Sequence, residues 1–262
     1  MMTAFVMIAA MIALPLPGAE PVSVPADLAT SLTNTVIEVS KRKAALLALI
    51  KTPAGADQVL QMADTDLFPV DLRMTATLEF TYNVPADLKQ KAAAILPPYL
   101  TQNSVPLPPL ATLLKMKGDA FNGAKVYMRP DANCINCHLT SGRGVEIGPD
   151  LSDAGLRLSR EELFENILEP NATISPGFEA WQLTLKNGDD VYGILAGETA
   201  AEVTLKDHKG ALSQYKLSDI TKRQKLRVSI MPMLLQQVLT VQELVDLVEY
   251  MSTLKTPVKK KN

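Results

Sequence analysis

Two cysteines occur in the whole chain, three residues apart, with a histidine directly after the second: Cys134-Ile135-Asn136-Cys137-His138. A structural zinc site takes four Cys or His ligands. The chain holds four such residues in total, the fourth being His208 in an unrelated stretch, and adjacent Cys137 and His138 splay apart. A thioredoxin-type pair needs a βαβ context, whereas here a helical pattern precedes the motif and a glycine-rich loop follows it. A plain disulfide leaves the histidine unexplained. Covalent haem attachment uses all three residues. Cysteines at i and i+3 of a helical turn face one side, where each can form a thioether with a porphyrin vinyl group, and His138 then falls under the iron.

The flanks agree with that reading. In "GDAFNGAKVYM", residues 118–128, Phe121, Ala124 or Lys125, and Met128 recur at helical spacing behind Asp119 as N-cap. Residues 240–254 open with the capping box Thr240-x-x-Glu243 and repeat Val241, Leu244, Val245, Leu247, Val248 and Met251. Between them, "SGRGVEIGPDL", residues 141–151, carries three glycines that permit close backbone approach to a flat ligand.

This order of N-terminal helix, CxxCH, Gly-Pro-Asp-Leu and C-terminal amphipathic helix resembles class I cytochrome c. The run from Gly148 to Gly210, followed by Ser229-Ile230-Met231-Pro232, resembles more closely the haem-binding C-terminal domain of the planctomycete and verrucomicrobial type, a likeness covering residues 115–254. The resemblance implies one haem c attached to Cys134 and Cys137, with His138 and Met231 as axial iron ligands. It also implies that the Pro149 carbonyl accepts the free ring N–H of His138. The sequence supports Met231 independently, because Pro232 biases it toward an extended conformation and can itself open the next helix. Met233 is then expected in the first turn of that helix, packed with Leu234, Leu235 and Val238, and Met251 in the core of the C-terminal helix. His208 reads as a solvated loop residue. Leu151 and Tyr127 are expected to wall the haem, and Arg143 and Arg157 are candidates to pair with its propionates.

Residues 178–228 change periodicity. Short alternating runs such as Trp181, Leu183, Leu185 and Val203, Leu205 are separated by turns at Asn187-Gly188 and Lys209-Gly210. Five such runs lead to the expectation of a small SH3-like or Sm-like barrel inserted into the haem domain and folding as a unit clear of the iron, with Lys222, Arg223, Lys225 and Arg227 on an exposed strand face. The remaining haem domain, 118–177 and 229–254, is near the size at which one apolar core is marginal. Haem is expected to complete that core.

Residues 23–98 are Ala- and Leu-rich and place a basic residue three before an alanine at Arg42 and Ala45, Arg73 and Ala76, and Lys89 and Ala92. They resemble the HEAT-like helices found ahead of this haem domain. A Pro-rich linker is expected at 99–117. Residues 1–19 read as a signal peptide, because the uncharged stretch from Thr3 to Pro17 is shorter than the roughly 20 residues of a membrane span. Residues 255–262 read as a basic tail.

The expected fold is therefore mainly α with an inserted small β-barrel, joining a class I cytochrome c-like haem domain to N-terminal helices. A formal charge of −2 offers no basic field for nucleic acid. The expected function is that of an exported, periplasmic, monohaem carrier of single electrons between redox partner proteins, without enzymatic activity or a stable membrane span. The resemblance implies a dehydrogenase as donor. The rival readings are a peroxidase-like haem enzyme with an open sixth position and an interaction scaffold with structural haem.

Overall fold

The computed structural model describes residues 26–65, 67–226 and 228–256. The expected signal peptide, Arg227 and most of the expected basic tail lie outside the described residues. The first elements are α1 (Ala26–Thr33), α2 (Val39–Ile50), α3 (Pro53–Ala63), α4 (Val70–Tyr82), α5 (Ala86–Ala93) and α6 (Leu110–Lys115). Prolines mark several of their starts. Pro53 is the first residue of α3, where its missing N–H costs no helical bond, and Pro69, Pro85 and Pro109 stand directly ahead of α4, α5 and α6. Leu46, Leu49 and Ile50 of α2 pack with Val59 and Leu60 of α3 and with Leu72, Ala76 and Phe80 of α4. Arg42 is buried in this bundle, where it donates to both carboxylate oxygens of Asp71 and to the Ile37 and Leu32 carbonyls. Ala76 and Ala92 are core residues, whereas Ala45 is only partly buried.

The stretch 99–107 of the expected Pro-rich linker is anchored at three of its residues. Tyr99, Thr101 and Leu107 are buried, Tyr82 Oη donates to the Leu107 carbonyl, and Gln102 N–H donates to Leu239 O at 2.8 Å. Tyr99 and Leu107 join Met74 and Leu78 of α4 in one apolar cluster with α7 (Ala120–Met128), α9 (Arg160–Leu168) and α10 (Val241–Thr253). The short α8 (Ala154–Arg157) precedes α9.

Helices α7 and α10 pack closely because glycine leaves room for them. A Cβ on Gly123 would lie 1.9 Å from the Asp246 carbonyl oxygen, and one on Gly118 would lie 2.5 Å from Glu249 Cβ. Both expected N-caps form. Asp119 accepts from the Phe121 and Asn122 amides at 2.9 and 3.2 Å, and Thr240 and Glu243 make a reciprocal capping box. The expected stripe on α7 is misplaced, however. Phe121 is 73% exposed and Met128 45% exposed, while Gly123, Val126 and Tyr127 form the buried face. Large apolar residues set the predicted face, but the approach of α10 requires the side of the helix with the smallest residue.

The expected strands form as β1 (Ala180–Leu185), β2 (Asp190–Glu198), β3 (Glu202–Lys206), β4 (Leu212–Lys216) and β5 (Ile220–Lys225). They make one antiparallel sheet in the order β4-β3-β2-β1-β5. This corrects the expected barrel: β4 and β5 are its two edges, so the sheet is not closed. Hairpin turns and alternation specify neighbouring strands, but nothing in that pattern specifies pairing between the first and last edges. Leu183, Val203 and Leu205 form its apolar face with Trp181. Arg223 is paired bidentately with Glu198 at 2.7 and 2.8 Å, and Lys225 with Glu179 at 3.0 Å, so two members of the expected basic cluster are neutralised by local carboxylates.

Candidate functional site

The cysteine motif is held by its own turn and by the loop that follows. Asn133 takes a left-handed conformation (φ 59°) and leads into a single 3-10 turn, Cys134–Asn136. The Cys134 carbonyl accepts from the Cys137 and His138 amides at 3.1 and 2.9 Å. The loop then folds back over the motif. Val145 N–H donates to Ile135 O at 3.1 Å, Ile147 and Gly148 N–H donate to Cys137 O at 3.0 and 2.6 Å, and Leu151 N–H donates to Leu139 O at 2.8 Å. Tyr127, fully buried on α7, donates its hydroxyl to His138 O at 2.7 Å. Arg129, at the end of α7, pairs with Glu243 and donates to Val238 O at 2.8 Å, tying this side to the start of α10.

His138 Nδ1 lies 2.8 Å from Pro149 O. A carbonyl only accepts, so Nδ1 carries the proton and Nε2 keeps its lone pair. Glycine again decides the fit. A Cβ on Gly148 would lie 2.4 Å from His138 Cε1, and one on Gly144, whose φ is +108°, would lie 2.3 Å from His138 O. Two of the three loop glycines thus make room for the histidine, not for a ligand; around Gly142 there is open space. Burial lowers the pKa of His138, partly countered by its bond to Pro149 O. The ring is therefore neutral at pH 7. Burial also pushes the Cys134 thiol up to about 11 and raises Cys137, so both remain protonated thiols at that pH.

Cys134, Cys137, His138, Pro149 and Leu151 line one cleft with Met231. Tyr127 lines a smaller inner lobe, which also includes Cys134, His138, Leu151 and Met231. The main cleft has a cavity volume of ≈ 190 Å³ and is open at its mouth. Its remaining walls come from α9 (Leu163, Asn166, Ile167), from Ile174 and Phe178 beyond it, from Ile194 of β2 and from Met251 of α10. The donor set is one imidazole nitrogen, two thioethers (Met231 and Met251) and two thiols in apolar surroundings. These residues fit a covalently bound haem.

Two expectations about the surroundings need revision. Met233 is 52% exposed and the helix expected from Pro232 does not form; a 3-10 turn begins only at Leu235, after Leu234 adopts a φ of 65°. Met251 is buried in the core of α10 as expected, and it also lines the cleft. The sheet, expected to stand clear of the iron site, supplies Ile194, and Lys206 Nζ donates to Glu146 O at 2.7 Å on the loop beside the motif. A hydropathy pattern marks Ile194 as buried without saying against what, so no sequence signal could have placed it here. Arg157 lines the cleft and is held by Asp153 and the Asp150 carbonyl at 2.7 and 3.0 Å. Arg143 and His208 are exposed and do not line it.

Residues 120–191 match the family model for cytochrome c. The match spans about a quarter of the chain. A cytochrome c domain implies covalently bound haem c and suggests haem-based electron transfer. The matched part includes Tyr127, Cys134, Cys137, His138, Pro149 and Leu151 and ends in β2, before Met231 and α10. Comparison of the chain with curated proteins gives no match. Among the described residues, no helix is long and apolar enough to cross a membrane.

Proposed function

We propose that the chain is an exported, monohaem c-type cytochrome that passes single electrons between periplasmic redox partners, with His138 and Met231 as axial ligands. The observation that carries the reading is the state of His138: its Nδ1–H is committed to Pro149 O at 2.8 Å, and the ring shares an apolar cleft with both cysteines and Met231. Cys134 and Cys137 provide the thiols for two thioether bonds, which prevent loss of the group. His138 offers a neutral imidazole whose basicity the Pro149 carbonyl raises. Met231 offers a soft thioether, which suits ferrous iron. Leu163, Ile167, Phe178 and Ile194 exclude water, and a dry site favours the less charged, reduced state. Haem bound with a His/Met pair supplies reversible one-electron storage at raised potential.

The haem domain on this reading is residues 118–177 and 229–254, interrupted by the sheet. The likeness to the planctomycete and verrucomicrobial haem-binding domain, with degenerate HEAT-like helices ahead of it, rests on the ordered motifs and is the basis for a dehydrogenase as donor. Export is supported by the apolar N-terminus and by the need to handle paired thiols in an oxidising compartment. A redox titration followed by absorbance tests the function. One reversible one-electron wave is expected, with no binding of carbon monoxide by the reduced wild type. Ready carbon monoxide binding together with peroxide turnover would favour the haem-enzyme reading instead.

A further inference from the structure

Met231 lies in a segment without regular secondary structure, Ser229 to Leu234, between the end of the sheet and the 3-10 turn Leu235–Val238. Three features of this segment bear on how its thioether is presented. Pro232 has no N–H to donate, so the backbone cannot continue helical bonding through it. Leu234 holds a left-handed conformation at φ 65° and is half exposed, a strained arrangement for a γ-branched residue without a compensating side-chain bond. The segment is fixed instead from both sides of Met231 by one residue. Asn171 Oδ1 accepts from the Ser229 amide at 2.7 Å, and Asn171 Nδ2 donates toward Met233 Sδ at 3.6 Å. Ser229 Oγ in turn accepts from the Met231 amide at 3.1 Å.

We infer that Asn171 is a positioning residue that clamps the Ser229–Met233 segment and sets how firmly Met231 occupies its axial position. The inference rests on Met231 being the sixth ligand. Asn171 engages residues two before and two after Met231 and does not itself line the cleft. It therefore acts on the thioether through the backbone. Its own position follows from α9, which supplies Leu163, Asn166 and Ile167 to the cleft wall and ends just before Pro170, also on that wall. Among the described residues, Asn171 hydrogen-bonds the segment carrying Met231 to this wall at two points. Without it, the strain at Leu234 favours release, and the ligand-off form gains population. Met233, which packing does not explain, has a role here as a sulfur acceptor.

The test uses the intact, haem-loaded protein and compares Asn171→Ala, Asn171→Asp, Met233→Leu and Met231→Ala. Two signals are read: the sulfur-to-iron charge-transfer band of the oxidised form and the rate of carbon monoxide binding to the reduced form. Covalent haem content per chain reports folding. Met231→Ala should lose the band. Asn171→Ala should weaken it and speed carbon monoxide binding roughly three- to tenfold, the factor expected from one lost hydrogen bond of ordinary net strength. Asn171→Asp keeps the acceptor for Ser229 N–H and should restore most of the difference. Met233→Leu loses the same sulfur bond as Asn171→Asp and keeps the bond to Ser229, so it should behave like Asn171→Asp, and these two milder variants decide the matter if Asn171→Ala does not fold. A lost band in Met231→Ala beside wild-type signals in all the Asn171 and Met233 variants overturns the clamp alone. An unchanged band in Met231→Ala overturns the axial assignment, and the clamp with it.

Discussion

The His138 side of the cleft and the Met231 side are built by different means. On the His138 side, the backbone amides of Val145, Ile147, Gly148 and Leu151 bond to residues 135–139, a buried tyrosine holds the His138 carbonyl, and glycines bring the loop and α10 close. On the Met231 side, the ligand candidate sits in an irregular segment held mainly by side chains of Asn171 and Ser229, and the wall is assembled from α9, β2 and α10. The first is dense in backbone bonds between residues about a dozen positions apart or fewer; the second depends on side-chain bonds to a residue about 60 positions away. One side should behave as part of the core, and the other as an attachment that can loosen while the core stays intact.

The largest effect is expected where α7 meets α10. Gly123→Ala places a methyl group 1.9 Å from a backbone oxygen, which the helices cannot relieve without separating. We expect a loss at or above about 3 kcal/mol, seen as failure to recover folded, haem-bearing protein. Recovery in wild-type yield would show that the packing on this side is looser than described.

Tyr127→Phe is a milder break on the same side. It removes the donor to His138 O at 2.7 Å and leaves a buried carbonyl short of a partner. The expected cost is about 1–3 kcal/mol, measured as a shift in the denaturant midpoint of the loaded protein. The global fold should weaken along with the haem environment, because here they are one structure.

Ser229→Ala probes the other side. It removes the acceptor for the Met231 amide at 3.1 Å and should cost about 0.5–1.5 kcal/mol of local order. Carbon monoxide access should increase while the midpoint of global unfolding hardly moves. Equal changes in both signals would erase the contrast between the two sides.

The smallest effect lies behind the α9 wall. Glu169 is buried, accepts from Tyr99 Oη and has a second oxygen with no hydrogen-bond partner. Burial raises its pKa above the ordinary 4.5. The folded chain therefore holds this proton more tightly than the unfolded chain, and stability falls as pH rises from 4.5 through the raised value. Burial raises Glu165 as well, which adds a slope of the same sign. Glu169→Gln keeps an acceptor for Tyr99 but cannot ionise. It should flatten part of that slope and raise Tm at neutral pH by roughly 2–4 °C, equivalent to about 1 kcal/mol for a chain of this size. Melting curves at several pH values check this.

The same contrast governs what could be read from the sequence. Asp119, Thr240 and Glu243 announce their helix ends because a cap is a bond between residues two or three apart. The CxxCH turn is legible for the same reason of proximity, whereas the Pro149 carbonyl is expected only through the resemblance to cytochrome c. The strands and their turns at Gly188 and Gly210 follow from alternation and positive φ. Gly123 and Gly148 carry no such signal, since their importance lies in what another element brings against them. Asn171, Phe178 and Ile194 are invisible for the same reason. The expected helix after Pro232 failed because a proline that can open a helix does not require one; Asn171 and the turn at Leu234 hold that segment irregular.

The most direct test of the account is the intact mass of the purified, haem-loaded protein after denaturation in acid. Thioethers at Cys134 and Cys137 predict a single species at the mass of the polypeptide plus one haem, with the haem absorbance travelling with the chain. A bare polypeptide mass, with haem separating from it, would contradict the account at its centre.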